Sequence, residues 1–201
     1  YISLKRIRMA AKTLNKAIFD LILMECLKNI DNSISKNYGA LLAMSMKLQF
    51  EKWFQVELTN QLGHELAEFE VEIHLEYELR GKTSKRGKTI DIVIIQNKKE
   101  FIGLELKLIP TNYSSLGFSK KTKRVTEIVN DYISDISKTS TFIHSYSLAL
   151  VYPFPNNPGH RNYFDFLKQE KRMRSAGDLE VWNSSITDEF ISRYYLLHKK
   201  N

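Results

Sequence analysis

The sequence predicts an α/β domain built on a central mixed β-sheet flanked by helices, with an N-terminal helical extension. Three observations carry that prediction. Thr89 to Pro110 holds two apolar, β-branched-rich runs separated by the polar turn Asn97-Lys98-Lys99, the pattern of a hairpin. Val125, Ile128, Val129, Tyr132, Ile133 and Ile136 then recur at helical spacing. Ser145 to Tyr152 follows as another short apolar strand, so strand, helix and strand fit a crossover onto a sheet.

The remaining elements follow in order. From Leu4 to about Ile30, Ile7, Ala11, Leu14, Ile18, Leu21, Ile22 and Leu27 lie at helical spacing with basic residues between them, and Asp31 to Ser35 has breaker and cap composition. A second helix is expected from Asn37 or Tyr38 to Gln61, stopped at Gly63, with Leu48, Phe54, Leu58 and Leu62 close to one stripe. Phe69 to Arg80 alternates apolar and polar residues as a two-faced strand does. After Tyr152, Pro153 to Gly159 closes the strand. A helix over Arg161 to Arg174, a strand near Leu179 to Trp182, and a last helix from Asp188, capped by Ser185 or Thr187, complete the chain. Residues 1–36 are expected to be a helical segment packed on the core of residues 37–201, together one structural domain.

Length and composition suit one well-buried core: 201 residues, 43% hydrophobic and 26% charged. The net charge of +7 tilts the expected partner toward a polyanion, either nucleic acid or an anionic membrane surface. Cys26 is the single cysteine, so no intrachain disulfide or structural zinc site is expected, and a reducing, cytoplasmic setting fits. Ala17 to Leu27, interrupted by Asp20 and Glu25, is too short to span a bilayer, and no membrane association is expected.

Charge inside the hairpin is the unusual feature. Asp91 is the only charge in the first run, and Glu105 and Lys107 interrupt the second. If Asn97 to Lys99 form a three-residue turn, Gln96 faces Glu100 and Asp91 falls opposite Glu105, with Lys107 on the same side by strand parity. Two neighbouring carboxylates either share a proton or hold a cation. Oxygen ligands without Cys or clustered His suit Mg²⁺ or Mn²⁺, which can lower the pKa of a bound water and stabilise charge on a phosphoryl group. Glu51 or Glu57, from the helix before the sheet, would complete such a site. A structural ion-pair cluster is the plainer reading of the same residues. The helical Glu, the strand Asp and the Glu-x-Lys in matching register favour the metal site.

The arrangement resembles the PD-(D/E)xK nuclease superfamily, the restriction-endonuclease-like fold, over roughly Leu48 to Pro153. Asp91 in Thr89-Ile90-Asp91 matches the first acidic position, with Ile in place of Pro before it, and Glu105-Leu106-Lys107 matches the (D/E)xK element. The resemblance implies a nuclease-like domain over residues 37–201, metal binding by Asp91, Glu105 and the Leu106 main-chain carbonyl, and a catalytic role for Lys107. It also implies a helical Glu, which Glu51 fits better than Glu57 because it falls within the apolar stripe, and action on DNA, often as a homodimer.

Basic segments would hold the phosphate backbone without reading bases: Lys82, Lys85, Arg86 and Lys88 in one loop, and Lys120, Lys121, Lys123 and Arg124 before the crossover helix. Lys168, Lys171, Arg172 and Arg174 make the penultimate helix basic too. His64, His74, His144, His160 and His198 form no recognisable constellation, and Trp53 and Trp182 read as packing residues. The rival functional readings are a catalytically inactive nucleic-acid-binding or scaffolding module of the same fold, and a helical protein-interaction module built on the N-terminal segment.

Overall fold

The structure, a computed structural model, describes residues 13–36, 50–79, 88–110, 125–155, 161–185 and 190–199. In chain order these form α1 (Lys16–Lys36), α2 (Phe50–Glu65), β1 (Val71–Leu79), β2 (Lys88–Gln96), β3 (Lys99–Pro110), α3 (Val125–Asp135), β4 (His144–Pro155), α4 (Arg161–Ala176), β5 (Asp178–Ser185) and β6 (Phe190–His198). The strands make one six-stranded mixed sheet of order β1-β2-β3-β4-β6-β5. Among the described strands only β3 and β4 pair in parallel, and α3 supplies the crossover that such a pair needs. The α/β expectation and the strand–helix–strand unit both hold.

Alternate residues of β3 feed two cores. Leu104, Leu106 and Leu108 pack with α1 and α2 residues such as Phe19, Ile22, Phe54 and Leu58, whereas Ile109 joins Ile128, Val129 and Tyr132 of α3 and Met173 of α4. The helices thus cover both faces, and α1 is part of the main core. Gly103 lets Phe142 sit against the strand, since an added Cβ would lie 2.7 Å from the Phe142 ring. Among the described residues, no helix is long and apolar enough to cross a membrane.

Three boundaries differ from the sequence expectation. The helix predicted through Leu4 to Ile30 does not run through residues 13–15. It starts at Lys16, where Asn15 Oδ1 accepts the Ile18 N–H at 3.0 Å as an N-cap. It also continues through Asp31 to Ser35, because Ile30 and Ile34 are buried and Asp31 accepts the Tyr194 hydroxyl at 2.5 Å. Tertiary packing there overrides local cap composition. Likewise α2 passes Gly63, with Leu66 N–H bonded to Leu62 O at 2.8 Å and Leu66 itself buried.

The last predicted helix is a strand. β6 lies between β4 and β5, with Tyr194 and Leu196 in one core and Tyr195 and Leu197 in the other. A strand buried on both faces reads as a continuous apolar run, which periodicity cannot separate from a helix. Arg193 in that run is held by Glu170 Oε1 at 2.5 Å and Asn183 Oδ1 at 3.0 Å. β4 and β5 also run longer than expected, β4 through Pro153 with a register shift between Val151 and Phe154.

The β2–β3 turn has two residues, Asn97 and Lys98, with φ of 52° and 60°, so Gln96 pairs with Lys99. Positive φ at both centres is the twist-matched hairpin turn. A bulge then leaves Phe101 unpaired, because Ile95 pairs with Glu100 and Ile94 with Ile102. Beyond it Ile92 pairs with Leu104, and one more step puts Asp91 level with Glu105. The tighter turn plus the bulge keeps the expected register as far as Ile92–Leu104, where the pairing ends one step short of Asp91 and Glu105.

Candidate active site where β2 parts from β3

The β2–β3 ladder ends at Ile92–Leu104, while β2 stays paired with β1 down to Lys88 and β3 stays paired with β4 as far as Pro110. The sheet therefore opens between β2 and β3. Backbone donors left on such an edge need acceptors, and here carboxylates provide them: Asp91 Oδ2 accepts the Leu106 N–H at 2.8 Å, and Glu51 Oε2 accepts the Leu108 N–H at 3.2 Å. In an extended strand the N–H and C=O of a residue share an edge, so the Leu106 carbonyl belongs to the same opening.

The parting has a local cause in the β1–β2 ribbon. Val71 and Ile73 of β1 and Ile92 and Ile94 of β2 belong to the α1–α2 core, but Tyr77, Leu79 and Ile90 pack with Val93 and Phe142 on the other side. The ribbon changes faces between those sets. Glu76, with φ of 49°, sits at the change, level with Asp91 between the pairs Leu75–Ile92 and Tyr77–Ile90. A left-handed non-glycine residue in a strand is costly, and such irregularities re-aim neighbouring side chains.

Asp91 is half-buried, and Gln55 Nε2 on α2 donates to its main-chain carbonyl at 3.0 Å. Burial pushes the Asp91 carboxyl above its usual range; the Leu106 N–H opposes the rise and the Glu51 charge adds to it. Glu105 is 4% exposed, and burial, then the Asp91 charge, pushes it up to about 7 against the pull of Lys138. Its Oε1 is buried with no hydrogen-bond partner among the described residues.

Two residues not singled out from the sequence complete the cluster. Lys138, in the turn after α3, donates to Glu105 Oε2 at 3.0 Å and Asp135 Oδ1 at 2.7 Å. Asp135, the last residue of α3, also lies 3.5 Å from Lys107 Nζ through Oδ2, an ion pair without hydrogen-bond geometry. Burial works against the Lys138 ammonium, but the hydrogen bonds it donates to Asp135 and Glu105 outweigh it and raise the pKa. On the other side, Lys52 of α2 pairs with Glu76, and the charges of Asp91 and Glu51 add to that contact in raising its pKa. The only sequence signal for Asp135 and Lys138 was an Asp–Lys pair three apart at a helix end, a common surface arrangement.

The choice between the helical acids is geometric. Glu57 accepts from Gln61 Nε2 at 3.0 Å, and Gln61 Oε1 in turn accepts from Asn29 Nδ2 of α1 at 3.3 Å. Glu57 thus belongs to the α1–α2 contact, and Glu51 is the acid brought to β3.

No family model, curated protein or solved structure matches this chain.

Among the described residues no three His, Cys, Asp or Glu side chains are grouped as a ready metal cage. Mg²⁺ is ordinarily held by one or two carboxylates plus water and substrate phosphate, so such a cage is not required. The donor set fits a hard cation: two carboxylates raised by burial, one buried carboxylate oxygen without a partner, and a carbonyl on the same strand edge. Of the basic groups expected on nucleic acid, Lys82, Lys85, Arg86, Lys120, Lys121, Lys123 and Arg124, and the Lys88 side chain, lie outside the described residues. On α4, Arg172 is engaged with Asn130 and Arg174 with the Leu179 carbonyl, while Lys168 and Lys171 are exposed.

Proposed function

We propose that the chain is a divalent-metal-dependent nuclease of the restriction-endonuclease-like type, hydrolysing phosphodiester bonds in DNA in preference to RNA. The observation that carries this reading is the convergence of Glu51, Asp91 and Glu105 with Lys107 on β3 where the sheet opens, together with the unpartnered Glu105 oxygen. The preference for DNA rests on the resemblance of Asp91 and Glu105-Leu106-Lys107 to the PD-(D/E)xK pattern.

In this reading Asp91, Glu105 and the Leu106 carbonyl hold Mg²⁺ or Mn²⁺. The bound ion supplies polarisation of a phosphoryl oxygen and a water acidic enough to attack near neutral pH. Lys107 orients that water or neutralises charge developing on the phosphoryl oxygens, and Asp135 fixes its ammonium. Glu51 holds α2 against β3 through Leu108 and sets the negative field at the opening. The basic segments on either side of the hairpin hold the phosphate backbone, so affinity falls steeply with salt. A cytoplasmic location and a homodimer acting on duplex DNA belong to the same proposal.

One observation favours a second reading, the inactive nucleic-acid-binding or scaffolding module. Lys107 pairs with Asp135, and Lys138 caps Glu105, so both of these ammonium groups at the β3 face already have a carboxylate. Incubation with plasmid, linear duplex, single-stranded DNA and RNA in Mg²⁺, Mn²⁺ or EDTA separates the two. Metal-dependent cutting supports the nuclease, and tight binding without cutting supports the module.

A further inference from the structure

We propose that the Lys138 ammonium is a resident counter-cation for Glu105, the group that a divalent ion must displace to enter the site. The inference rests on the metal-binding reading of Asp91 and Glu105.

Its basis is the asymmetry of the contacts. The side chains of Glu105 and Asp135 are 5% and 6% exposed, whereas that of Lys138 is 36% exposed. The ammonium therefore reaches the carboxylates from the solvent side and can leave by the same route. Around it the backbone is pinned: Thr139 is fully buried with its hydroxyl on the Ile136 carbonyl at 3.1 Å, and Ser145 Oγ donates to the Thr139 carbonyl at 2.5 Å. The Lys138 side chain, at 36% exposure, is the most exposed of the groups in the cluster with Glu105 and Asp135.

Its departure takes a donor from both acids, but only Glu105 is left without a cation. Asp135 loses the contact at Oδ1 and keeps the Lys107 charge at 3.5 Å, whereas Glu105 loses the donor at Oε2 and already has an Oε1 without a partner among the described residues. A buried carboxylate without a counter-charge is strongly disfavoured. A divalent ion held by Glu105 and Asp91 would restore the balance, so Lys138 and the ion would compete for the same carboxylate. The lysine keeps the acid ion-paired in the unloaded protein and weakens metal binding by the strength of that pair.

The test is direct Mn²⁺ binding without nucleic acid, by calorimetry, on the wild type, Lys138→Met, Lys138→Arg, Glu105→Gln and the Glu105→Gln/Lys138→Met double variant. Removing the competing charge is expected to tighten Mn²⁺ binding by about tenfold or more. Lys138→Arg, which keeps the charge, binds no tighter than wild type. Glu105→Gln weakens binding and cancels the gain from Lys138→Met. In a separate arm, lysine ¹⁵N spectra of the wild type follow the Lys138 ammonium, identified by its loss in Lys138→Arg, and its signal shifts as Mg²⁺ is added. Wild-type binding that depends on Glu105, with Lys138→Met no tighter or an unmoved ammonium signal, overturns the displacement and leaves the metal site standing. No Mn²⁺ binding in wild type or Lys138→Met overturns both.

Discussion

The Asp91 carboxylate accepts the main-chain N–H of Leu106 at 2.8 Å, across the gap where β2 leaves β3. One side chain thus caps the open edge of a central strand, and its charge helps to raise the Glu105 carboxyl. Replacing it removes two things that substitutions can separate. Asp91→Ala leaves a half-buried donor unsatisfied and is expected to cost about 1–3 kcal/mol in chemical denaturation. Asp91→Asn keeps an acceptor for Leu106 and is expected to lose much less stability, yet to abolish the proposed metal-dependent cutting as completely as Asp91→Ala. Equal stability losses in the two variants would remove the hydrogen bond from the account.

Glu51 and Glu57 lie on one helix with different partners, Leu108 N–H and Gln61. Glu51→Gln is expected to lower the cutting rate by at least about tenfold, roughly the effect of losing about 1.4 kcal/mol at the transition state. Glu57→Gln leaves the rate near wild type. Rates of the two variants on one DNA substrate decide the matter.

Glu105 gives a pH dependence whose sign is set by its environment. Burial and the Asp91 charge raise its carboxyl from the usual 4.5 to about 7. A raised carboxyl favours the fold below its unfolded pKa, and that advantage is lost as pH rises through the folded value. Glu105→Gln, which stays neutral, should therefore gain melting temperature relative to wild type as pH rises from about 5 to about 8. Thermal melts across that range check the direction, and a constant difference between the proteins would contradict the buried, strained carboxylate.

His144 and His198 act in the opposite pH direction. Burial lowers both, the Lys16 charge lowers them further, and Asp20 opposes. A depressed histidine contributes stability above its unfolded pKa that is lost as pH falls from the usual 6.5 toward the folded value. The double variant His144→Gln/His198→Gln is expected to lose less melting temperature than wild type between about pH 7 and about pH 5. Identical acid profiles would show that these rings do not control the loss.

The hairpin was legible because alternation, a polar turn and misplaced charge all point to it. Its register came out the same because a two-residue turn followed by a bulge at Phe101 gives the offset of a three-residue turn. β6 was not legible, since burial on both faces erases the alternation that marks a strand. Asp31 to Ser35 misled for a different reason: Asp31 meets Tyr194, 163 residues away, and no local window contains that partner. Asp135 and Lys138 carry no distinctive local signal on the same grounds, because their meaning comes from the crossover that lays the end of α3 beside Glu105 and Lys107.

The most direct test of the central claim is the rate of plasmid cutting in Mg²⁺ by wild type and by Lys107→Met, with folding of both checked by thermal melts. The account predicts EDTA-sensitive cutting by the wild type, reduced by at least about a hundredfold in the folded variant, the scale for loss of a charge-stabilising donor. Cutting by Lys107→Met at the wild-type rate would contradict it.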